Sequence, residues 1–297
     1  MKKVLFLGCN HDQVPYLKIL SESKEYHIVG TDMNEKAPGR ILCDSFFQVG
    51  YADVPALLEI GHQMEFGSFD RVFTAAAQFA HFGAASFAAN FGIAYPRPDD
   101  IQTCLDKGAY YRKFLDLGIP LPRTGFVQDR EQLNHLLAEV REDVRYYLKS
   151  DFGKNPNYIY VGSPDDLASM EINWTKDRYF RYCYILQEEM AAKSLRVNVY
   201  GDRFNIYEFE SGKRISGIKP EFLERGILAT LHSIMNAVGL QEWLVKFDVL
   251  LNEEAYAVID IGLDPPFRMV QEHRDAFFPH YLDQYLNGKI NYPADFD

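Results

Sequence analysis

The chain has 297 residues, of which 47% are hydrophobic, so it is long and apolar enough to form two or three packed lobes. Its net charge of −11 argues against a general nucleic-acid surface. The four cysteines are widely spaced and form no CxxC pair, which argues against a zinc framework and favours a reducing cytosol. No apolar run approaches the roughly 20 residues of a membrane span, and the apolar start of the chain is too short for a signal peptide. We therefore expect a cytoplasmic protein without a membrane or nucleic-acid partner.

Strands and helices alternate over the first hundred residues. Four short apolar segments predict strands: KVLFLG, HIVGTD, SFFQV and DRVFTA. The intervening residues predict helices over 13–23 and 54–64, followed by an alanine-rich helix around HFGAASFAANFG. This alternation indicates a parallel sheet covered on both faces, which binds ligands beyond the carboxyl ends of its strands. The prolines and aspartates of YPRPDD mark the end of this first unit, residues 1–97.

The rest of the chain mixes helices with longer alternating strands. We predict a helix that follows YPRPDD and continues to Leu117, and another helix over 130–140. The strands RYYLKS and YIYVG flank the loop DFGKNPN in a second unit, residues 98–184. The third unit, residues 185–297, starts in the strand YILQEEM and continues with the pair LRVNVYGDRFNIYEFE, a helix over 221–238 and two acidic strands.

Each acidic strand carries one carboxylate among apolar residues. Asp248 lies in FDVL, and Asp260 lies in VIDIG. A buried carboxylate needs a positive charge nearby, and for Asp260 one interpretation is a salt bridge to a neighbouring lysine. The sequence contains no GxxxxGK[ST], GxGxxG, HExxH or GxSxG motif. A nucleotide would therefore bind by another design, and a plain Rossmann oxidoreductase is disfavoured.

Several stretches, in this order, resemble the ATP-grasp superfamily of carboxylate–amine ligases. They are VGTDMNEKAPGRILCDSFFQV, CLDKGAYYRKFLDLGIPLP, YYLKS, YILQEEM, SLRVNVYGDRF and KFDVLLNEEAYAVIDIG. The resemblance covers nearly the whole chain. It implies an α/β fold with a Rossmann-like parallel-sheet domain at the N-terminus, followed by the two α+β lobes of the ATP-grasp fold. It also implies that ATP and Mg²⁺ are the cofactors and that the metal ion neutralises the negative charge of the two acidic strands.

The same resemblance implies a nucleotide site. The phosphate groups would contact two lysines and a flap in the loop DFGKNPN, and the strand YILQEEM would contact the adenine. The residues at these positions are Lys107, Lys149, Gly153, Lys154, Gln187, Glu188 and Met190, with Ser194 at the ribose position. For the strand YILQEEM, the alternative interpretation is an edge strand with solvent-facing acids.

The reacting groups follow by the same resemblance. Arg196 and Lys246 would stabilise the negative charge of the reaction, and Arg268, beside the substrate, is the third catalytic candidate. Asp248 and Asp260 would hold Mg²⁺, and Asp264, just past the second acidic strand, could supply a further oxygen. Asp260 stands where relatives have glutamate. Gly262 stands where they have asparagine, so one metal ligand is missing. Mg²⁺ tolerates this loss because it binds through one or two carboxylates, phosphate oxygens and water.

The function implied is an ATP-dependent ligase. It would activate a small carboxylate, with an amino acid as the first candidate, as an acyl phosphate and join it to an amine. The substrate would lie near Cys9–His11, Gln78 and Arg268, although Gln78 equally suits the start of a helix. The alternative is a degenerate member that binds a nucleotide or metabolite as a non-catalytic or regulatory subunit. The resemblance also suggests a homodimer.

Overall fold

The computed structural model describes residues 1–151, 159–177, 180–181, 183–263 and 271–287. The predicted flap residues Gly153 and Lys154 lie outside this part of the chain, as do Asp264 and Arg268. No helix of the described part is both long enough and apolar enough to cross a membrane.

The first unit is a parallel sheet, as the sequence predicts. Its strands run in the order β3-β2-β1-β4, with bounds β1 (Lys2–Leu7), β2 (Tyr26–Thr31), β3 (Ser45–Phe47) and β4 (Arg71–Thr74). The helices between the strands are α1 (Val14–Ser23), α2 (Val54–Gln63) and α3 (Gln78–Phe91). Residues Val4 to Leu7 are fully buried because helices cover both faces of the sheet.

The last described helix returns to this first unit. Helix α10 (Gln271–Asn287) packs against β4 and α1. The contact is a cluster of aromatic rings in which Tyr16 lies 4.4 Å from Phe278 and Phe73 lies 5.8 Å from Tyr281, measured between ring centroids. The end of the chain therefore completes the core of the N-terminal sheet rather than that of the third unit.

The connection after the first unit contains two helices where the sequence predicts one. They are α4 (Pro98–Leu105) and α5 (Lys107–Asp116). The break lies at Asp106, whose backbone is extended and whose carboxylate accepts a 2.8 Å hydrogen bond from the Ala109 N–H. Aspartate is a preferred N-cap, so it starts a new helix here. Lys107 is consequently the first residue of α5. The prediction of a single helix, which places Lys107 in its middle, is wrong on this point.

The second unit is an antiparallel sheet in the order β5-β10-β6-β7. Its strands are β5 (Thr124–Val127), β6 (Tyr146–Ser150), β7 (Ile159–Gly162) and β10 (Tyr184–Glu188). The same part of the chain contains the helices α6 (Arg130–Glu139) and α7 (Pro164–Ser169) and a separate antiparallel pair of strands, β8 (Thr175–Asp177) and β9 (Phe180–Arg181). Because β10 pairs with β5 on one side and β6 on the other, the edge-strand interpretation of YILQEEM is wrong. The chain leaves this sheet only after Glu188, so β10 belongs to the second unit in the structure, although the sequence interpretation starts the third unit at residue 185.

The third unit is an antiparallel sheet in the order β12-β11-β13-β14. Its strands are β11 (Lys193–Tyr200), β12 (Arg203–Glu208), β13 (Val245–Leu251) and β14 (Tyr256–Gly262). One face packs on α8 (Lys219–Glu224) and α9 (Ile227–Ala237), which replace the single predicted helix over 221–238. Gly226 separates these helices with a φ of +66°, a conformation that favours glycine. The opposite face carries polar residues.

Candidate active site

A cavity of about 760 Å³ lies between the second and third units. Its walls come from β6, from β10 and the residues that follow it, and from the cleft-facing side of the β11 to β14 sheet. Five of the predicted nucleotide-binding residues line it: Lys149, Gln187, Glu188, Met190 and Ser194. The fold therefore brings together residues that are separated by up to 45 positions in the sequence.

Lys149 lies at the inner wall of this cavity. It follows Leu148 in β6, and the alternation of the strand points Leu148 into the core and Lys149 toward the cleft. Burial lowers the pKa of Lys149 from 10.5 to about 8, an effect that Lys107 reinforces and the carboxylates of Asp260 and Asp248 oppose. The ammonium is thus a desolvated cation that lies within electrostatic reach of both acidic strands. An anion in the cavity would stabilise the charged form of such a group.

Gln187 is the immediate partner of Lys149. Its Oε1 accepts a 3.0 Å hydrogen bond from the Lys149 ammonium, and its Nε2 donates a 3.1 Å hydrogen bond to Oγ1 of Thr124. A lysine can only donate, so these two bonds fix the orientation of the amide. Because Gln187 is only 1% exposed, its side chain holds the lysine in place.

The chain crosses from the second unit to the third at the residues after β10. The Glu188 N–H donates to the Arg123 oxygen at 3.0 Å, and the Glu189 N–H donates to the Arg145 oxygen at 2.8 Å. Tyr147 donates to the Glu189 carboxylate at 3.2 Å. These contacts hold the segment extended along the cavity, with Met190 in its wall.

The third unit carries a row of charged residues on the face of its sheet that is opposite α8 and α9. In the strand register, Arg196 of β11 lies opposite Asp248 of β13, which in turn lies opposite Asp260 of β14. Arg196 donates to both carboxylate oxygens of Asp248, at 2.9 and 3.1 Å, and its guanidinium stacks over Phe209. Both side chains of the pair are about nine-tenths buried. Arg196 therefore neutralises much of the charge of the predicted metal ligand Asp248.

A β-bulge turns Asp260 toward the cleft. The register of β14 against β13 shifts so that Asp248 faces Asp260 while Val249 faces Val258, which leaves Ile259 as the extra residue. Without the bulge, simple alternation would put Asp260 on the same buried face as Val258. Bulges of this kind occur beside functional sites, where they redirect a side chain. The bulge therefore brings the two acidic strands into one site.

A second row lies beside the first one. Lys246 pairs with Asn198 on one side and with Gly262 on the other, and it is only 3% exposed. Asn198 donates to Oδ1 of Asn205 at 2.9 Å. Gly262, which has no side chain, therefore lies opposite the buried Lys246. The ammonium-bearing Lys246 is in the row of paired residues next to the row that contains Arg196 and Asp248.

The N-terminal side of the site comes from α5. Lys107 donates its backbone N–H to the Asp151 oxygen at 2.6 Å, at the end of β6. Its effect on the pKa of Lys149 shows that the two lysines lie close enough to repel each other. Burial, followed by the charge of Asp106, raises the pKa of Asp151 to about 6. The start of α5 and the end of β6 therefore form one charged corner of the site.

Two tyrosines of α5 belong to the site although no sequence signal identified them. The Tyr110 hydroxyl donates to Oδ1 of Asp260 at 3.0 Å. The Tyr111 hydroxyl donates to the Ile259 backbone oxygen and lies 3.4 Å from Oε1 of Gln187. In the sequence, both look like core aromatic residues of a helix.

Gln78, by contrast, has a structural role. It is the first residue of α3, as the helix-start interpretation predicts. Its buried Nε2 donates to the backbone oxygens of Cys104 and Ile261, at 3.0 and 3.1 Å. These bonds tie the N-terminal unit to α4 and to β14 beside Asp260. A substrate contact for this amide is therefore disfavoured.

The described residues contain no group of three or more histidine, cysteine, aspartate or glutamate side chains arranged to hold a metal ion. They contain the pair Asp248 and Asp260. The third predicted ligand, Asp264, lies outside them. The donor set that the structure shows is thus limited to two carboxylates, which is enough for Mg²⁺ only if other oxygens come from phosphate groups and water.

By sequence, the chain matches no family model and no curated protein. By structure, it is similar to a biotin carboxylase–βγ-ATP complex from Campylobacter jejuni, with a TM-score of 0.73 and 15% identity over 99% of this chain and 73% of that one. It is also similar to an L-amino acid ligase from Bacillus licheniformis, with a TM-score of 0.69 and 11% identity over 97% and 74% of the two chains. An N5-carboxyaminoimidazole synthetase from Staphylococcus aureus complexed with ADP gives a TM-score of 0.69 and 12% identity over 96% and 76%. These similarities confirm the predicted fold, which is the ATP-grasp fold of carboxylate–amine ligases.

Proposed function

We propose that this ATP-grasp chain is an ATP- and Mg²⁺-dependent ligase that activates a small carboxylate, with an amino acid as the first candidate, and joins it to an amine. The observation that carries the proposal is the closeness of a buried cation to two carboxylates. Lys149, a desolvated cation in the wall of the cavity with a pKa of about 8, lies close enough to Asp248 and Asp260 for both carboxylates to oppose the lowering of that pKa. This arrangement suits a molecule that is anionic and carries a divalent cation.

The cavity fits a nucleotide. Its volume of about 760 Å³ lies within the range of about 300–1,000 Å³ that is usual for small-molecule sites. Met190 in the wall of the cavity suits a flat base, and Lys149 in the same wall suits phosphate groups. The fold is also that of a synthetase solved with ADP and of a biotin carboxylase solved as a βγ-ATP complex.

The acidic pair fits one magnesium ion. Asp260 and one oxygen of Asp248 would hold it, and the ion would supply a positive charge that offsets the phosphate charge. Arg196 does not prevent this, because each oxygen of Asp248 keeps a further lone pair beside its hydrogen bond to the guanidinium. The donor set favours a hard cation because both ligands are carboxylates.

The residues of the chain would act mainly by position and charge. Lys149 and Lys107 would hold the phosphate groups while an oxygen of the substrate carboxylate attacks the γ-phosphorus, which breaks its bond to the bridging oxygen and releases ADP. The amine would then attack the acyl carbon and displace inorganic phosphate. Arg196 and Lys246 would stabilise the negative charge of that second step. Lys246 keeps the charge of an arginine but lacks its two-pronged hydrogen bonding.

The test is a screen of amino acids and other small carboxylates, each with a panel of amines, for ADP formation from MgATP. We expect ADP formation that requires both substrates, and we expect Lys149→Ala and Asp248→Asn to abolish it. The matched control is Asp202→Asn, which removes an exposed carboxylate in the turn after β11 of the same unit and should leave the rate unchanged. Undiminished turnover in either site variant would refute the assigned site.

A second function has specific support. The two-pronged ion pair of Arg196 with Asp248 and the lysine opposite Gly262 both reduce the capacity for metal ions. They favour a degenerate protein that binds a nucleotide or metabolite without turning it over, as a regulatory subunit. ATP binding in calorimetry without any substrate-dependent ADP formation would support this second function over the ligase. Neither function depends on the oligomeric state, for which a homodimer stays a prediction that sedimentation can test.

A further inference from the structure

Helix α5 contributes two adjacent buried tyrosines to the space between the second and third units. The rings of Tyr110 and Tyr111 lie 4.7 Å apart, and both residues are fully buried. A hydroxyl buried at such a depth must find a hydrogen-bond partner or lose stability. Both hydroxyls find their partners on the same strand, β14, at consecutive residues.

The Tyr110 hydroxyl fixes the Asp260 carboxylate. It donates to Oδ1 at 3.0 Å. Asp260 follows a β-bulge, so the pairing of β14 with β13 alone constrains its direction less than in a regular strand. An aspartate is also one methylene group shorter than glutamate, so a small rotation moves its oxygens out of reach of a ligand. The hydrogen bond from α5 restricts that rotation.

The Tyr111 hydroxyl links the two sides of the cavity. It donates to the Ile259 backbone oxygen, within the bulge, and lies 3.4 Å from Oε1 of Gln187. Gln187 in turn accepts from the Lys149 ammonium at 3.0 Å. A continuous path of polar contacts therefore joins the lysine of the second unit to the acidic strand of the third unit.

Both tyrosines stay protonated under ordinary conditions. Burial, and then the neighbouring hydroxyl and the Asp260 charge, raise the pKa of Tyr110 well above 10. Burial and the same carboxylate raise the pKa of Tyr111. Both groups are therefore hydrogen-bond donors at neutral pH.

We propose that Tyr110 and Tyr111 are positioning residues of the site, and that they act on different halves of the ligand. Tyr110 orients Asp260 toward the divalent cation. Tyr111 fixes the backbone of β14 at Ile259 next to Gln187, the partner of Lys149, and so sets the distance between the phosphate-binding lysine and the acidic row. The inference rests on the proposed nucleotide site, but it requires no turnover.

The test measures nucleotide binding by calorimetry with and without Mg²⁺, using a non-hydrolysable ATP analogue. Tyr110→Phe keeps the ring and removes the hydroxyl. Mg²⁺ should enhance binding of the analogue, and we expect this variant to need a roughly tenfold higher Mg²⁺ concentration for half of the maximal enhancement. Tenfold is the low end of the effect of losing a hydrogen bond to a metal ligand. The affinity of this variant for the metal-free analogue should change less than twofold. Tyr111→Phe should show the opposite pattern, with weaker binding of the metal-free analogue and an unchanged Mg²⁺ requirement.

The matched control is Tyr16→Phe. Tyr16 is equally buried, but its hydroxyl has no hydrogen-bond partner among the described residues, and it lies in the N-terminal core away from the cavity. It should change neither binding quantity. Melting temperatures of all three variants show whether a loss of binding is only a loss of fold.

The outcomes separate this inference from the proposed function. If Tyr110→Phe shifts the Mg²⁺ requirement while the wild type forms no ADP with any substrate, then the positioning roles stand and the ligase proposal fails. If the wild type turns over ATP but both variants bind like the Tyr16→Phe control, then the positioning roles are refuted and the ligase stands. A wild type whose nucleotide binding does not respond to Mg²⁺ would also refute the role of Tyr110.

Discussion

The lowered pKa of Lys149 predicts that nucleotide binding is coupled to proton uptake. In the protein without nucleotide, burial lowers this pKa from 10.5 to about 8. A triphosphate beside the ammonium would raise the pKa again, because a nearby opposite charge favours the charged form. Binding must therefore take up a proton at every pH at which the lysine is partly neutral beforehand.

The size of the effect follows from the pKa of about 8. At pH 7 roughly nine in ten lysines are already charged, whereas at pH 9 only about one in ten is charged. We expect the Kd for ATP to rise roughly tenfold between these two pH values. Binding should take up close to one proton at pH 9 and almost none at pH 7.

Calorimetry in two buffers with different ionisation enthalpies measures this proton uptake directly. The control is Lys149→Arg, since a guanidinium stays charged throughout the range. This variant should bind ATP with a flat pH profile and no proton uptake. An equal Kd at pH 7 and pH 9 in the wild type, or an undiminished pH dependence in Lys149→Arg, would refute the assignment of Lys149 to the phosphate groups.

The same shift predicts a cost in stability. The unfolded lysine keeps its proton up to a pKa of 10.5 and the folded one only to about 8, so the unfolded state binds more protons between these values and stability rises with pH there. At about 1.4 kcal/mol per pKa unit, the shift opposes folding at neutral pH by on the order of 3 kcal/mol. Lys149→Met should therefore raise the free energy of unfolding at pH 7, by about 1–2 kcal/mol after the lost bond to Gln187 is counted. A destabilised variant in urea denaturation would contradict the burial of the charge.

Three further predictions concern the fold around the site. Arg196→Ala should cost about 3–5 kcal/mol of stability because it leaves Asp248 buried without its cation, and in thermal melts Mg²⁺ should restore more stability to this variant than to the wild type. Gly83→Ala should lower the free energy of unfolding by about 1–3 kcal/mol, because its Cβ would lie 2.0 Å from a backbone oxygen in the loop before α2. In the control Gly67→Ala, the new Cβ meets no atom within 4 Å, so urea denaturation should show no change in stability. Gln78→Leu should cost about 2–3 kcal/mol by leaving two buried backbone oxygens unpaired; a melting temperature equal to that of the wild type would show that these bonds do not stabilise the interface.

The parallel sheet could be predicted from the sequence because each of its strands is a short apolar run between helical segments. The break at Asp106 could not, because an N-cap aspartate within a helical pattern leaves the apolar periodicity intact. The break at Gly226 was missed for a related reason, since a single glycine is tolerated within many helices. The docking of α10 on the first sheet depends on contacts between residues 200 or more positions apart, on which local pattern carries no information.

The candidate site could be predicted in part. The resemblance identified five residues that the structure brings together in one cavity. The ion pair of Arg196 with Asp248 depends on cross-strand register, and the direction of Asp260 depends on a bulge. Neither feature has a local sequence signature, because both arise from how two strands pair.

The most direct test of the account is a crystal structure of the protein with Mg²⁺ and a non-hydrolysable ATP analogue. We expect density for the base beside Met190, for the phosphate groups at Lys149, and for a metal ion at Asp260. Density for the analogue on another surface, with these three residues arranged as in the protein without nucleotide, would contradict it.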